Sequence, residues 1–148
     1  MSDTPKPDNA RLVRAMKMAA RVRSDSNRKR LYHALVSSEL WFAVQGGWTG
    51  EGTLTTEHVV CAGELQGRPS AAIFTSRENA EKWRADHQEF VLMNGTDLFG
   101  ALIQTNISSV QINPAGPVGG ELYRHEVETI AEGGRILRLR AEAAASVH

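Results

Sequence analysis

Cysteine is nearly absent. The 148 residues hold one, Cys61, which excludes an internal disulfide and a cysteine-rich zinc site. Aromatic side chains are sparse at 6%, and net charge is zero, with 17 basic residues against 17 acidic. That balance suggests no special affinity for nucleic acid or an anionic membrane. No stretch approaches the roughly eighteen consecutive apolar residues that span a bilayer. The opening residues, MSDTPKPDNARLVRAM, lack the apolar run of a secretion signal, so the cytoplasm is the expected address. Neither GxGxxG nor a phosphate loop of the form GxxxxGKS/T occurs, and no fixed-period repeat or low-complexity tract is present. No cofactor is therefore expected.

What the chain does have is 41% hydrophobic residues, enough at this length for one globular domain with a core. Its neutrality is a sum of opposites. Residues 1–30 carry nine Lys or Arg against three Asp, and residues 31–148 carry eight against 14 Asp or Glu.

The first seven residues hold two prolines and read as a flexible tail. Asp8 or Asn9 then caps a helix to about Arg23, with Leu12, Val13, Met16, Ala19 and Ala20 on its apolar face. Arg11, Arg14, Lys17 and Arg21 take the remaining surface. Ser24 or Ser26 opens a second helix to about Val36, burying Leu31, Tyr32 and Leu35, while Arg28, Lys29 and Arg30 extend the basic stretch. Residues 8–38 thus form a basic helical segment.

From Glu39 the character changes. Leu40-Trp41-Phe42-Ala43-Val44 is apolar at both parities and predicts a strand covered on both faces. Four glycines in residues 46–52 (GGWTGEG) make a loop with Trp48 at its tip. Residues 58–64 and 70–75 read as strands joined by the turn Gln66-Gly67-Arg68-Pro69. Ser76 caps a helix in which Ala80, Trp83 and His87 share a face. Phe90-Val91-Leu92-Met93 is a further strand, followed from about Thr96 by a helix burying Leu98, Phe99, Leu102 and Ile103. Residues 110–112 make a short strand before the loop Asn113-Pro114-Ala115-Gly116-Pro117. A last helix is expected from about Gly120, burying Tyr123, Val127 and Ile130 and stopping at Gly133-Gly134. Residues 135–148 are expected as a strand or helix and a tail. The order predicts one α+β domain, with a mixed sheet flanked by helices after an N-terminal helical segment.

Residues 39–130 resemble the SseB N-terminal domain family, the bacterial enhanced serine sensitivity proteins. The matching pieces are the strand 40–44, Ala72-Ile73-Phe74-Thr75-Ser76 feeding a helix with Ala80 and Trp83, and Val110-Gln111-Ile112-Asn113-Pro114-Ala115-Gly116-Pro117 before another helix. The resemblance assigns residues 39–134 to such a domain. It implies a bacterial cytoplasmic protein and brings no settled activity and no accepted set of catalytic residues. A two-domain member would continue with a C-terminal domain, whereas this sequence ends at His148.

Several constellations invite chemistry. Cys61 with His58 suggests a thiol–imidazole pair, but side chains three apart on a strand point to opposite faces. Glu121, His125 and Glu128 fall at i, i+4 and i+7 on the expected last helix, where a solvated face with local pairing competes with a metal site. No metal site is expected, and His33, His87 and His148 have no partner pattern. The 113–117 loop, with Asn113, Pro114 and Gly116 near the Ser76 cap, is either a structural turn or the rim of a small-molecule pocket. Trp48 either folds back onto the core or stands out as an interface anchor. Arg11, Arg14, Lys17 and Arg21 form a basic surface that either packs on the acidic body or faces an acidic partner. Only Tyr32 supplies a ring before Trp41, which argues against a nucleic-acid stacking platform.

These readings lead to a non-enzymatic protein-interaction or regulatory module that binds another protein or itself. A small-molecule sensor is the alternative, and an enzyme using Cys61 or His125 comes third.

Overall fold

Two polar side chains set the N-terminal helices in place. Asn9 sits in the left-handed region (φ 54°) just ahead of helix α1 (Ala10–Arg21) and does not cap it. Its amide instead donates to the carbonyls of Glu39 (2.7 Å) and Thr75 (2.8 Å), pinning the helix start to the body. Ser24 caps helix α2 (Asp25–Ser37), its hydroxyl accepting from the Asn27 N–H at 3.1 Å. Asn27 is itself buried and donates back to the carbonyls of Val22 (2.8 Å) and Met18 (3.4 Å). A single interior amide therefore closes α1 and α2 into a hairpin.

The structure, a computed structural model, describes residues 9–84 and 89–145. The expected 1–7 tail, the Asp8 cap, His87 and His148 lie outside them. After the hairpin come strand β1 (Glu39–Ala43), a 3-10 turn (Thr56–His58), β2 (Gly63–Leu65), β3 (Arg68–Phe74), α3 (Arg77–Trp83), β4 (Phe90–Asn94), α4 (Gly95–Leu102), β5 (Ser109–Ile112), β6 (Gly120–Tyr123) and α5 (Arg124–Ala145). The strands make one mixed sheet in the order β4-β1-β3-β5-β6, with β2 against the first half of β3. Among the described strands β3 and β5 run parallel and the other pairs are antiparallel. The chain is a single α+β domain.

Register sorts the side chains onto two faces. Phe42, Ile73 and Ile112 align across three strands and point into the main core with Leu98, Phe99, Val127 and Ile130 from α4 and α5. Leu12, Met16, Ala34, Leu35 and Val36 of the hairpin belong to this same core. On the opposite face Ala43, Ala72 and Phe74 pack with Ala80 and Trp83 of α3. The double apolar parity of β1 follows from this, because both its faces are covered.

The structure corrects four expectations. Residues 58–64 do not form one strand: Thr55 and His58 bond side chain to side chain at 3.0 Å, holding a turn, Val59 makes an isolated bridge to Val44, and the strand pairing with β3 begins at Gly63. The β2–β3 turn is tighter than expected, with Gln66 (φ 55°) and Gly67 (φ 75°) as its two left-handed residues and Pro69 already in β3. Residues 120–123 are a strand, because they pair with β5 and alternate, with Leu122 buried and Tyr123 exposed. Helix α5 does not stop at Gly133-Gly134. A Cβ on Gly134 would press on Thr96 and Val36 at 3.2 Å, so its bare α-carbon lets α5 lie close to α4 and α2. Residues 135–145 are helical.

Candidate functional site

The loop after β5 is held entirely from within. Asn113 is buried in the left-handed region (φ 50°), which asparagine tolerates. Its side-chain Oδ1 accepts from the Thr75 N–H at 3.0 Å, and its side-chain Nδ2 donates to the Thr75 hydroxyl (3.0 Å) and the Val118 carbonyl (2.8 Å). Gly116 donates its N–H to the Asn113 carbonyl at 2.9 Å and leaves room for Asn79, whose Oδ1 a Cβ would meet at 2.7 Å. Ser76 accepts from the Asn79 N–H, capping α3. Asn113 and the Ser76 cap are thus neighbours through Thr75 and Asn79, and their polar atoms are spent on one another. An open depression of about 480 Å³ lies beside them, bounded by Gln111, Pro114, Gly116 and Glu121 but not by Ser76.

Trp48 takes the folded-back alternative. Its ring is 8% exposed and meets Phe42 edge-on with centroids 6.1 Å apart.

The reactive groups named from sequence are dispersed. Cys61 is exposed, and its thiol donates to the Gly63 carbonyl at 2.9 Å. His58 is occupied by Thr55. Glu121 lies on β6, where it accepts from Ser109 at 2.8 Å, while Glu128 pairs with Arg124 at 3.2 Å on α5. The i, i+4, i+7 face with His125 is therefore broken by the strand–helix boundary. Among the described residues no cluster of His, Cys, Asp and Glu is arranged to hold a metal ion.

The hairpin is where charge accumulates. Residues 9–38 hold eight Lys or Arg and one acid, Asp25. Arg11, Arg14, Lys17 and Arg21 are all exposed. Among the described residues the one ion pair within the hairpin is Arg28–Asp25 at 3.5 Å, and no Lys or Arg of α1 or α2 pairs with a carboxylate of the body. The hairpin docks through its apolar face and through neutral hydrogen bonds and one to a carboxylate: Asn9 to the Glu39 and Thr75 carbonyls, Thr96 to the Val36 carbonyl at 3.1 Å, and the Tyr32 hydroxyl to Glu126 at 2.7 Å. Burial, and then that bond and the Glu126 charge, hold the Tyr32 phenol well above its ordinary pKa. The hairpin therefore packs on the body, one of the two expected arrangements, but among the described residues without ion pairs to it.

The exposed side of the hairpin is concave. A groove of about 780 Å³ runs between α1 and α2, with Arg11 and Arg14 on one rim and Lys29, Arg30 and His33 on the other. The helical repeat places Arg11, Arg14, Ala15 and Met18 in one stripe at i, i+3, i+4 and i+7. Arg11 and Arg14 were legible from the sequence, but the opposing rim on α2 and the floor were not. The 29/30/33 spacing signals a shared helix face, yet which face meets α1 is decided by the Asn27 contacts.

A mixed sheet with four helices on one face, two of them the docked basic hairpin, and a short helix on the other defines an α+β domain with its positive charge concentrated on that hairpin. The chain matches the family described as SseB protein N-terminal domain over residues 12–129, and it belongs to that family. The match takes in α1 and α2, so the hairpin is part of the domain pattern. No curated protein and no solved structure matches the chain.

Proposed function

We propose that this SseB-family chain is a non-enzymatic protein-interaction or regulatory module of a bacterial cytoplasm, with the α1–α2 hairpin as its contact surface. The observation that carries this reading is the mismatch between how the hairpin is attached and where its charges point. Apolar side chains fix it to the body, while its cations face outward and, among the described residues, none pairs with a carboxylate of the body; the one ion pair, Arg28–Asp25, lies within the hairpin. Fixed like charges cost self-repulsion and raise the association rate with an oppositely charged surface. The reactive groups support the same reading, since Cys61, His58 and Glu121 each bond to a structural neighbour.

The test is affinity capture and size-exclusion chromatography of the whole chain, beside the double variant Arg11→Glu/Arg14→Glu. A partner, or a second copy, is retained by the parent at low salt and lost by the variant. Retention of neither, or equal retention by both, overturns the reading.

A small-molecule sensor is the second reading, favoured by the depression beside Pro114 and Gly116. It requires that amino acids or nucleotides raise the melting temperature, and that widening Gly116 abolishes the shift.

A further inference from the structure

We propose that the groove between α1 and α2 seats an acidic amphipathic segment of a partner protein, its carboxylates on the two cationic rims and an apolar side chain on the floor. This rests on the reading of the hairpin as the contact surface and names what that surface recognises.

Three features of the groove carry the inference. Its rims are of one sign: Arg11 and Arg14 face Lys29 and Arg30, with His33 beside them, and among the described residues no acidic side chain lines it. Its floor is apolar, made by Ala15, Ala34 and Met18, and Met18 is left 46% exposed. The one polar floor residue, Asn27, has its side-chain Nδ2 donating to the Met18 and Val22 carbonyls. Recognition therefore combines charge at the edges with apolar contact in the middle. An amphipathic helix laid into a groove has this pattern, with apolar anchors on one stripe and charges flanking it. Methionine suits such a floor because its flexible thioether adapts to the side chain it meets.

The same features disfavour other polyanions. Single-stranded nucleic acid binds on aromatic platforms, and among the described residues no Phe, Tyr or Trp ring lines this groove. Duplex phosphates would meet the rims but leave the Met18 floor without an apolar partner. Surface-binding membrane helices present a convex apolar face with Trp, Phe or Leu, whereas this apolar strip is recessed between two helices.

Each rim pair is solvent-exposed and individually weak, so affinity is modest and falls as salt rises. The floor adds a part that salt does not remove.

The test uses the full chain and a fluorescent peptide of about 20 residues with a leucine stripe flanked by glutamates. Controls are the same composition with the leucines scattered, polyglutamate, a single-stranded RNA, and vesicles of anionic phospholipid. Patterned peptide is expected to bind with a dissociation constant on the order of micromolar, and about tenfold tighter than either acidic control. Raising salt from about 0.05 to 0.5 M weakens it several-fold. Arg14→Glu and Arg30→Glu each weaken binding about tenfold and Met18→Ser several-fold, while Arg140→Glu, an equal charge change on α5, leaves it intact. Thermal melts confirm that these variants fold.

Equal binding of patterned and scattered peptides, tighter binding of RNA or vesicles, or indifference to Arg14→Glu and Arg30→Glu overturns the proposal. If the patterned peptide fails while Arg11→Glu/Arg14→Glu still abolishes partner capture, the groove assignment falls and the broader reading stands. If that double variant leaves capture unchanged, the broader reading falls with it.

Discussion

The hydroxyl of Tyr32 on α2 donates a 2.7 Å hydrogen bond to the carboxylate of Glu126 on α5, joining elements 94 residues apart in sequence. The other oxygen of Glu126 accepts from the Tyr123 N–H at 3.2 Å, so one carboxylate serves both the hairpin and the start of α5. Tyr32→Phe removes the only polar tether described between the hairpin and α5 and is expected to cost about 1–2 kcal/mol in denaturant unfolding.

The same bond makes hairpin docking sensitive to alkali. The Tyr32 phenol is raised by burial and by Glu126, so the folded state holds its proton more tightly than the unfolded state does. The resulting stability is complete below about pH 10, the ordinary phenol value, and is lost as pH rises through the folded value. Unfolding curves of the parent and Tyr32→Phe are expected to converge above pH 10 and to stay apart at neutral pH. A constant gap across that range would refute the assignment.

Gly95 begins α4 directly beneath the end of α2. Its N–H donates to the Ser38 carbonyl at 2.7 Å, and a Cβ there would collide with the Leu35 carbonyl. Gly95→Ala is expected to destabilise by about 3 kcal/mol or more, since the clash is with backbone rather than a movable side chain. The melting temperature reads this directly, and a change within error would show that α2 and α4 separate at little cost.

Asn113 combines a strained backbone with three bonds. Asn113→Ala loses the bonds and keeps the strain, while Asn113→Gly loses the bonds alone. Both are expected to destabilise by roughly 2–4 kcal/mol, with alanine worse by about 1 kcal/mol. Equal losses would remove the strain from the account.

Trp48→Ala opens a cavity against Phe42 and is expected to cost about 3–5 kcal/mol. Below its melting temperature the variant should capture the hairpin's partner as the parent does. Loss of capture in a folded variant would restore Trp48 as a contact residue.

Much of the fold was legible because many elements carry one unmixed period. The run Leu40-Trp41-Phe42-Ala43-Val44 admits only a doubly covered strand, and Ser24 and Ser76 mark helix starts that the structure keeps. Failures came where local signals conflict with distant partners. Glu121-Leu122-Tyr123 fits either period, and only pairing with β5 decides for a strand. Gly133-Gly134 has the composition of a helix end, yet the close approach of Thr96 and Val36 gives Gly134 an interior role. The site divides similarly. Arg11 and Arg14 follow from helical spacing, but the floor at Met18 and the rim on α2 depend on how two helices are clasped by Asn27, which spacing alone does not encode.

The hairpin's seat imposes an order on biosynthesis. Leu12, Met16 and Leu35 share a core with Val127 and Ile130, residues the ribosome adds about a hundred positions later. At typical elongation rates the two basic helices wait several seconds beyond the exit tunnel before their landing surface exists. Through that interval they are a cationic, apolar-faced pair beside the polyanionic surface of the ribosome. The hairpin groove is thus assembled before the surface on which the hairpin docks.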